Sequence, residues 1–279
     1  MEKVINLYKS RGKTPLETIE DFRAAYKEYN NEKITYAGRL DPMAEGVLLA
    51  LLGEETKNRE AYTSLDKEYV FEWIFGLSTD TYDLLGLVKE SSETGFDFLR
   101  NASALTCRSD AAGSVLENQN QFPKILKEFF AEQKGKFIQK YPPFSSKVVN
   151  GKSLFSLAKG GRIKTEDLPS HEVEIKESEY LGNTILKKSD LENFIKKTVS
   201  SVSGDFRQKQ ILTDWKNRLG KSDREEYIVH KARLVVGSGF YVRQFVYDIG
   251  RKFNTGAVTF SILRTRVGIY KIEKSLHLQ

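Results

Sequence analysis

Sulfur and histidine are scarce in this chain, with one cysteine, two methionines and three histidines among 279 residues. The single cysteine, Cys107, excludes an intrachain disulfide, and no Cys/His cluster has the spacing of a zinc site. His171, His230 and His277 are scattered without partners, so none is assigned a catalytic role. Long hydrophobic runs are also missing. The longest, from Val47 to Leu52, is far too short to cross a bilayer. The segment from Met1 to Gly12 has no apolar stretch of signal-peptide length. These absences point to a soluble cytoplasmic protein with no membrane contact and no metal requirement.

Charge is plentiful and uneven. The net charge is +6, with 39% hydrophobic and 29% charged residues, as in a globular protein. Between Val229 and Lys274 there are nine Lys or Arg against Asp248 and Glu273, a net +7, so the rest of the chain sums to −1. A concentrated basic segment suggests a polyanionic partner, because Lys and Arg on phosphates release counterions. It is equally compatible with a solvated basic face.

The element pattern mixes strands and helices without regular βαβ alternation, which predicts an α+β (mixed α/β) fold. Thr14-Pro15-Leu16-Glu17 reads as a capping box with proline at the first helical position. Leu16, Ile19, Phe22, Tyr26 and Tyr29 continue it at helical spacing to about Asn30-Asn31. Asp41-Pro42 is expected to open a second, short helix. Glu68 to Phe75 suits a strand with Tyr69, Phe71, Trp73 and Phe75 on one face. Ser91 to Asn120 reads as a polar loop, and Ile125, Leu126, Phe129 and Phe130 as a helix broken by Tyr141-Pro142-Pro143. Lys187 to Arg224 is charged and helical in pattern, a helical insertion at about 187–226. Ile228 to Val236 alternates as a strand, Gly237-Ser238-Gly239 turns the chain, and Val242, Phe245, Val246, Ile249 and Phe253 mark a helix. Ile262 to Tyr270 returns as a strand.

The candidate chemistry begins at Gly38-Arg39-Leu40-Asp41-Pro42-Met43-Ala44-Glu45-Gly46. Asp41 there is either a helix cap before Pro42 or a carboxylate presented on a tight turn, kept ionised by a nearby cation such as Arg39. The longer run from Tyr36 to Leu48, followed by Gly53-Glu54-Glu55-Thr56-Lys57, resembles the signature of the TruB family of tRNA pseudouridine synthases. Further blocks match in order: Lys9 with Gly12; Lys67-Glu68-Tyr69; Gly76-Leu77-Ser78-Thr79-Asp80-Thr81-Tyr82-Asp83; Tyr141 to Ser146 with Asn150 to Phe155; Gly239-Phe240-Tyr241-Val242-Arg243; and Leu263-Arg264. The chain departs from the family at Tyr36, where histidine is usual, and at Ser10, where proline is common. The stretch from Leu191 to Arg224 has no family counterpart.

The resemblance implies a pseudouridine synthase fold, with a central, mainly antiparallel sheet flanked by helices and loops. It implies a single catalytic domain over 1–279, acting as a monomer, and the chain's end soon after Tyr270 suggests that the family's C-terminal RNA-binding (PUA) domain is absent. The implied activity is conversion of uridine to pseudouridine in tRNA, at uridine-55 of the T loop. Asp41 would be the catalytic carboxylate, either attacking the sugar or removing a sugar proton. Arg243 would pair with it, Tyr69 would stack on the extruded base and Tyr241 would help move the C5 proton. Leu263 would line the pocket. Lys9, Tyr36 and Arg264 would bind the RNA, with Arg266 and Lys252 as further phosphate contacts. Two alternatives are an rRNA pseudouridine synthase, which shares Gly-Arg-Leu-Asp, and a non-catalytic RNA-binding or RNA-folding protein.

Overall fold

The computed structural model describes residues 3–89 and 121–278. The expected polar loop from Ser91 to Asn120, with Cys107, lies outside the described residues. In chain order the elements are β1 (Val4–Lys9), α1 (Pro15–Ala25), β2 (Ile34–Ala37), β3 (Ala44–Leu52), α2 (Arg59–Ser64), β4 (Lys67–Phe75), α3 (Gln121–Glu132), β5 (Gly135–Lys140), β6 (Val148–Val149), β7 (Lys152–Ser153), α4 (Leu154–Lys159), β8 (Ser170–Lys187), α5 (Lys188–Ser200), α6 (Gln208–Gly220), β9 (Glu226–Val236), α7 (Val242–Lys252), β10 (Ala257–Val267) and β11 (Tyr270–Lys271). Among the described residues no helix is long and apolar enough to cross a membrane.

One mixed sheet organises these elements in the order β1-β3-β10-β4-β9-β8-β5. β2 and β11 pair at its margin with β3 and β10. Every pairing in it is antiparallel except β3 with β10, which run parallel over Ala44–Gly46. The fold is therefore the mixed, mainly antiparallel class expected. Alternation along β4 sends Tyr69, Phe71, Trp73 and Phe75 to one face, where they pack on Leu126 and Phe130 of α3 and on Phe245 and Ile249 of α7. Each fully buried phenylalanine there contributes roughly 1.5–3 kcal/mol. The opposite face carries Ile74, Val229, Val258 and Phe260, covered by Leu191, Ile195 and Val199 of α5 and by Ile211 and Trp215 of α6.

The capping box forms. The Glu17 amide donates to Thr14 Oγ1 at 3.2 Å and the Thr14 amide donates to Glu17 Oε2 at 2.6 Å. The helix ends at Ala25, earlier than expected, and Tyr26 and Tyr29 fold back over the Phe22 ring. Leu16 is 60% exposed and faces a cavity described below, instead of joining the core stripe.

Two expectations fail here. Asp41-Pro42 opens no helix: the Ala44 amide donates to Asp41 O at 3.0 Å, closing a turn that leads directly into β3. β3 is bounded by β1 on one edge and by β10 and β2 on the other, and its apolar run is buried on both faces. Such a doubly flanked strand satisfies its backbone through partners distant in sequence, which overrides the local helix-opening signal. The helix holding Phe129 and Phe130 ends at Glu132, and strand β5 lies between it and Tyr141-Pro142-Pro143.

Candidate active site

Asp41 stands on the turn between β2 and β3, and the turn is built from beneath. Gly38 and Gly46 have φ of +71° and +107°. At Gly46 a Cβ would lie 2.2 Å from the Arg264 carbonyl oxygen, so the close parallel approach of β3 to β10 requires glycine. Two buried cations hold the carbonyls of the turn. Lys9 Nζ donates to Ala44 O at 2.6 Å. The Arg264 guanidinium donates to Val47 O at 2.7 Å, Gly38 O at 3.2 Å and Arg39 O at 3.3 Å. Burial pushes the Lys9 ammonium down from 10.5 to about 7, opposed by the charge of Asp41.

The carboxylate is gripped from the side. Arg243, one residue into α7, donates from Nε to Asp41 Oδ2 at 2.7 Å. Its other nitrogens donate to Thr81 O at 2.7 Å and Phe144 O at 3.1 Å, so the guanidinium is tied at three points while only 3% exposed. Asp41 itself is 35% exposed. A charge-assisted bond to a fixed donor orients the carboxylate and leaves its second oxygen for a ligand. Asp83 lies behind, 3.6 Å from Arg243 Nε, and accepts from Thr81 Oγ1 at 2.6 Å and the Leu85 amide at 2.9 Å. Burial raises its carboxyl to about 6, and Arg243 opposes the rise.

Two cavities meet at Asp41 and share Arg39, Leu40, Ser146 and Arg243. The smaller, about 310 Å³, is walled by Tyr69, Tyr241, Lys67 and Ile262. Burial first, then the charge of Asp41, pushes the Tyr241 hydroxyl up to about 12, so it stays protonated at neutral pH. Buried Gln139 fixes the entry to α7 by exchanging both hydrogen bonds with the Tyr241 backbone, at 2.9 and 3.1 Å. Lys67 is pushed down to about 8 by burial and by Arg264 nearby. The larger cavity, about 510 Å³, is more apolar, with Leu16, Tyr36, Phe144, Phe155 and Phe206 in its walls.

The fold thus brings Asp41, Tyr69 and the Tyr241–Arg243 pair together from three separate parts of the chain. Other expected site residues fall elsewhere. Lys9 and Arg264 are 0% and 1% exposed, so they brace the Asp41 turn and do not reach solvent phosphates. Ile262, not Leu263, faces the smaller cavity, because alternation along β10 turns Leu263 to the other side. Tyr36 lies on the rim of the larger cavity, with Arg59 over its ring at 5.8 Å. The cation on Asp41 is the distant Arg243 and not the neighbouring Arg39, whose side chain is exposed. Arg266 donates to Gly268 O at 3.2 Å and lies 3.7 Å from Glu68, and Lys252 sits over the Phe129 ring. Among the described residues no three His, Cys, Asp or Glu side chains are grouped so as to hold a metal ion.

Residues 26–104 match the family described as TruB family pseudouridylate synthase (N terminal domain). The whole chain aligns with proteins named tRNA pseudouridine synthase B. That of Borreliella afzelii (strain PKo) is 27% identical over 96% of this chain and 70% of its own length. That of Aquifex aeolicus (strain VF5) is 26% identical over 100% and 73%. That of Protochlamydia amoebophila (strain UWE25) is 25% identical over 99% and 78%. Along its length the chain is thus similar to tRNA pseudouridine synthases B, and over residues 26–104 to the TruB family model.

The fold is also seen in a solved structure. A chain in the crystal structure of a Cbf5-Nop10-Gar1 complex superposes with a TM-score of 0.51 at 19% identity. The alignment covers 99% of this chain and 52% of that one, so this chain spans about half the length of that protein. Asp83, Gln139, Ile262 and Arg207 were not expected in the site. Asp83 closes the motif block that begins at Gly76 and was within reach of the sequence. Arg207, from the loop between α5 and α6, carries no sequence signal.

Proposed function

We infer that this protein isomerises uridine to pseudouridine in tRNA, with uridine-55 of the T loop as the target and Asp41 as the catalytic carboxylate. The observation that carries the reading is the half-open Asp41 carboxylate at the junction of two cavities, fixed by the buried Arg243 at 2.7 Å. Isomerisation breaks the N-glycosidic bond and rejoins the uracil through C5, so it needs a directed carboxylate at the sugar and room for the freed base to turn. Asp41 supplies the first, whether it attacks the sugar or removes a sugar proton. The smaller cavity supplies the second. A uridine drawn out of folded RNA loses stacking worth a few kcal/mol, which the Tyr69 ring offsets in part. The Tyr241 hydroxyl, held protonated, acts as a hydrogen-bond donor toward the base and relays the C5 proton without ionising. Arg243 keeps the Asp41 carboxylate aimed throughout.

The test is incubation of the purified protein with an unmodified tRNA transcript, followed by mapping of pseudouridine. Wild type should modify a T-loop uridine, and Asp41→Asn should lose essentially all turnover while binding tRNA. Full turnover by Asp41→Asn would remove Asp41 from catalysis. Tight tRNA binding by wild type with no product would favour an RNA-binding protein, and product in rRNA alone would favour the rRNA enzyme.

A further inference from the structure

The α5–α6 hairpin covers one face of the sheet, yet its connecting loop reaches the site. Arg207, at the end of that loop, makes a two-pronged ion pair with Asp80: Nη1 to Oδ2 at 2.7 Å and Nη2 to Oδ1 at 3.3 Å. Both partners are largely buried, at 20% and 16% exposure. The same guanidinium lies 4.7 Å above the Phe144 ring. Arg207 has φ of +63°, in the left-handed region that an L-residue adopts only when its surroundings hold it there. The loop is tied a second time by Lys159 Nζ to Asp205 Oδ2 at 2.8 Å.

The two groups that Arg207 holds adjoin or carry the two backbone carbonyls that support Arg243. Asp80 precedes Thr81, whose carbonyl accepts from Arg243 Nη1. Phe144 provides the carbonyl that accepts from Arg243 Nη2. Asp80 is further pinned by the Leu87 amide at 2.8 Å, so the pull of Arg207 acts on a stiff turn. We propose that Arg207 is a positioning residue for the Asp41–Arg243 pair: by clamping Asp80 and Phe144 together it fixes both carbonyls that orient the Arg243 guanidinium. The helical hairpin is on this account part of the catalytic apparatus and not only a cover for the sheet. The kinetic side of this inference rests on the isomerase reading above.

The experiment compares full-length wild type with Arg207→Ala, Arg207→Lys and Arg207→Gly. Three quantities are measured: the single-turnover rate at saturating tRNA transcript, the tRNA dissociation constant, and the Arg243 Nε–H resonance of the ¹⁵N-labelled free protein. Arg207→Ala should lower the rate by roughly tenfold or more, as expected for misplacement of a reacting group, with the dissociation constant changed by less than about threefold, because the groups that bind RNA are untouched. The Arg243 signal should shift or broaden. Arg207→Lys should fall between, since an ammonium pairs with Asp80 but lacks the planar fork. Arg207→Gly relaxes the left-handed backbone and so should melt no lower than Arg207→Ala, yet be as slow. An unchanged rate and an unchanged Arg243 resonance in Arg207→Gly would reduce Arg207 to a staple for the hairpin. A weakened dissociation constant with an unchanged saturating rate would make it an RNA contact instead. If wild type formed no pseudouridine in any RNA, the isomerase reading would fall, and the Arg243 resonance would still decide the clamp.

Discussion

Lys9→Met separates a brace under the Asp41 turn from a phosphate contact. The Lys9 side chain is fully buried, and its ammonium donates to Ala44 O and Ser10 O. Methionine fills much the same volume but leaves those carbonyls without that donor, at about 1–3 kcal/mol for a buried unpaired group. An opposing effect depends on pH. Burial lowers the Lys9 pKa from 10.5 to about 7, which corresponds to roughly 5 kcal/mol against the charged form. Between those two values the folded protein binds fewer protons at this site than the unfolded chain, so stability rises with pH across that window. The penalty is present in full below about pH 7 and is lifted by about pH 10.5. Methionine carries no such penalty. The stability deficit of Lys9→Met should therefore be smallest near pH 7 and widen toward pH 10, where a neutral amine still donates to Ala44. Urea unfolding at pH 7, 8.5 and 10 measures this, and filter binding to tRNA over a salt series measures the other side. The salt slope should stay at the wild-type value, while turnover falls because the turn loses its anchor. A slope reduced by about 0.7–0.9, the signature of one phosphate no longer neutralised, with a pH-independent deficit in stability would refute this account.

Gly46→Ala should be among the more damaging single changes to the site. Its Cβ would meet backbone at 2.2 Å and require φ of +107°, so a loss of at least about 2–3 kcal/mol is expected in a urea titration. His230 predicts a pH effect on stability. Burial pushes it from 6.5 to about 3, so the unfolded chain binds the extra proton and stability falls as pH drops from about 6.5 toward 3. His230→Phe, set among Trp73, Phe75 and Phe122, should lose less melting temperature between pH 7 and 4.5 than wild type does, and an identical loss would place the acid sensitivity elsewhere.

Local patterns with a local cause were legible. The Thr14–Glu17 capping box, the alternation of β4 and the helical spacing of α7 all follow from neighbours within a few residues, and all form. The order of the motif blocks likewise pointed to the relatives with which the chain aligns, and the irregular mix of strands and helices pointed to the mixed sheet. What could not be read was set by contacts between distant segments. Asp41-Pro42 carries a helix-opening signal, but the parallel pairing of Ala44–Gly46 with Ile262–Arg264 turns the next residues into a strand. The choice between Ile262 and Leu263 depended on which face of β10 points at Tyr69, a one-residue register question. Arg207 was invisible because its partners, Asp80 and Phe144, belong to other parts of the chain and its loop resembles no motif.

The basic C-terminal segment is the sharpest case of charge that the sequence shows and the fold consumes. Arg233 is spread over Glu68, Glu177 and Glu179, and Lys231 lies 3.5 Å from Glu72. Arg243 and Arg264 are buried on the Asp41 turn and its carboxylate, and Arg266 is turned to Gly268 and Glu68. Arg251, Lys252, Lys271 and Lys274 stay exposed but line neither cavity, so phosphate neutralisation at the site is expected of cations beside the cavities. Lys147 and Lys152 are exposed at the β6–β7 ribbon, whose Val148 and Ser153 line the larger cavity. Lys252, by contrast, lines neither cavity. Paired Lys147→Ala and Lys152→Ala changes should lower the magnitude of the salt slope for tRNA binding by about 0.7 for each phosphate that these lysines neutralise on a single-stranded loop. Lys252→Ala should leave it unchanged. Because neither lysine braces Asp41, the double variant should recover wild-type turnover once tRNA is raised to saturation. If the slope instead fell with Lys252→Ala and held with the paired change, RNA would approach from the α7 side, and the two cavities at Asp41 would lose their claim to the substrate.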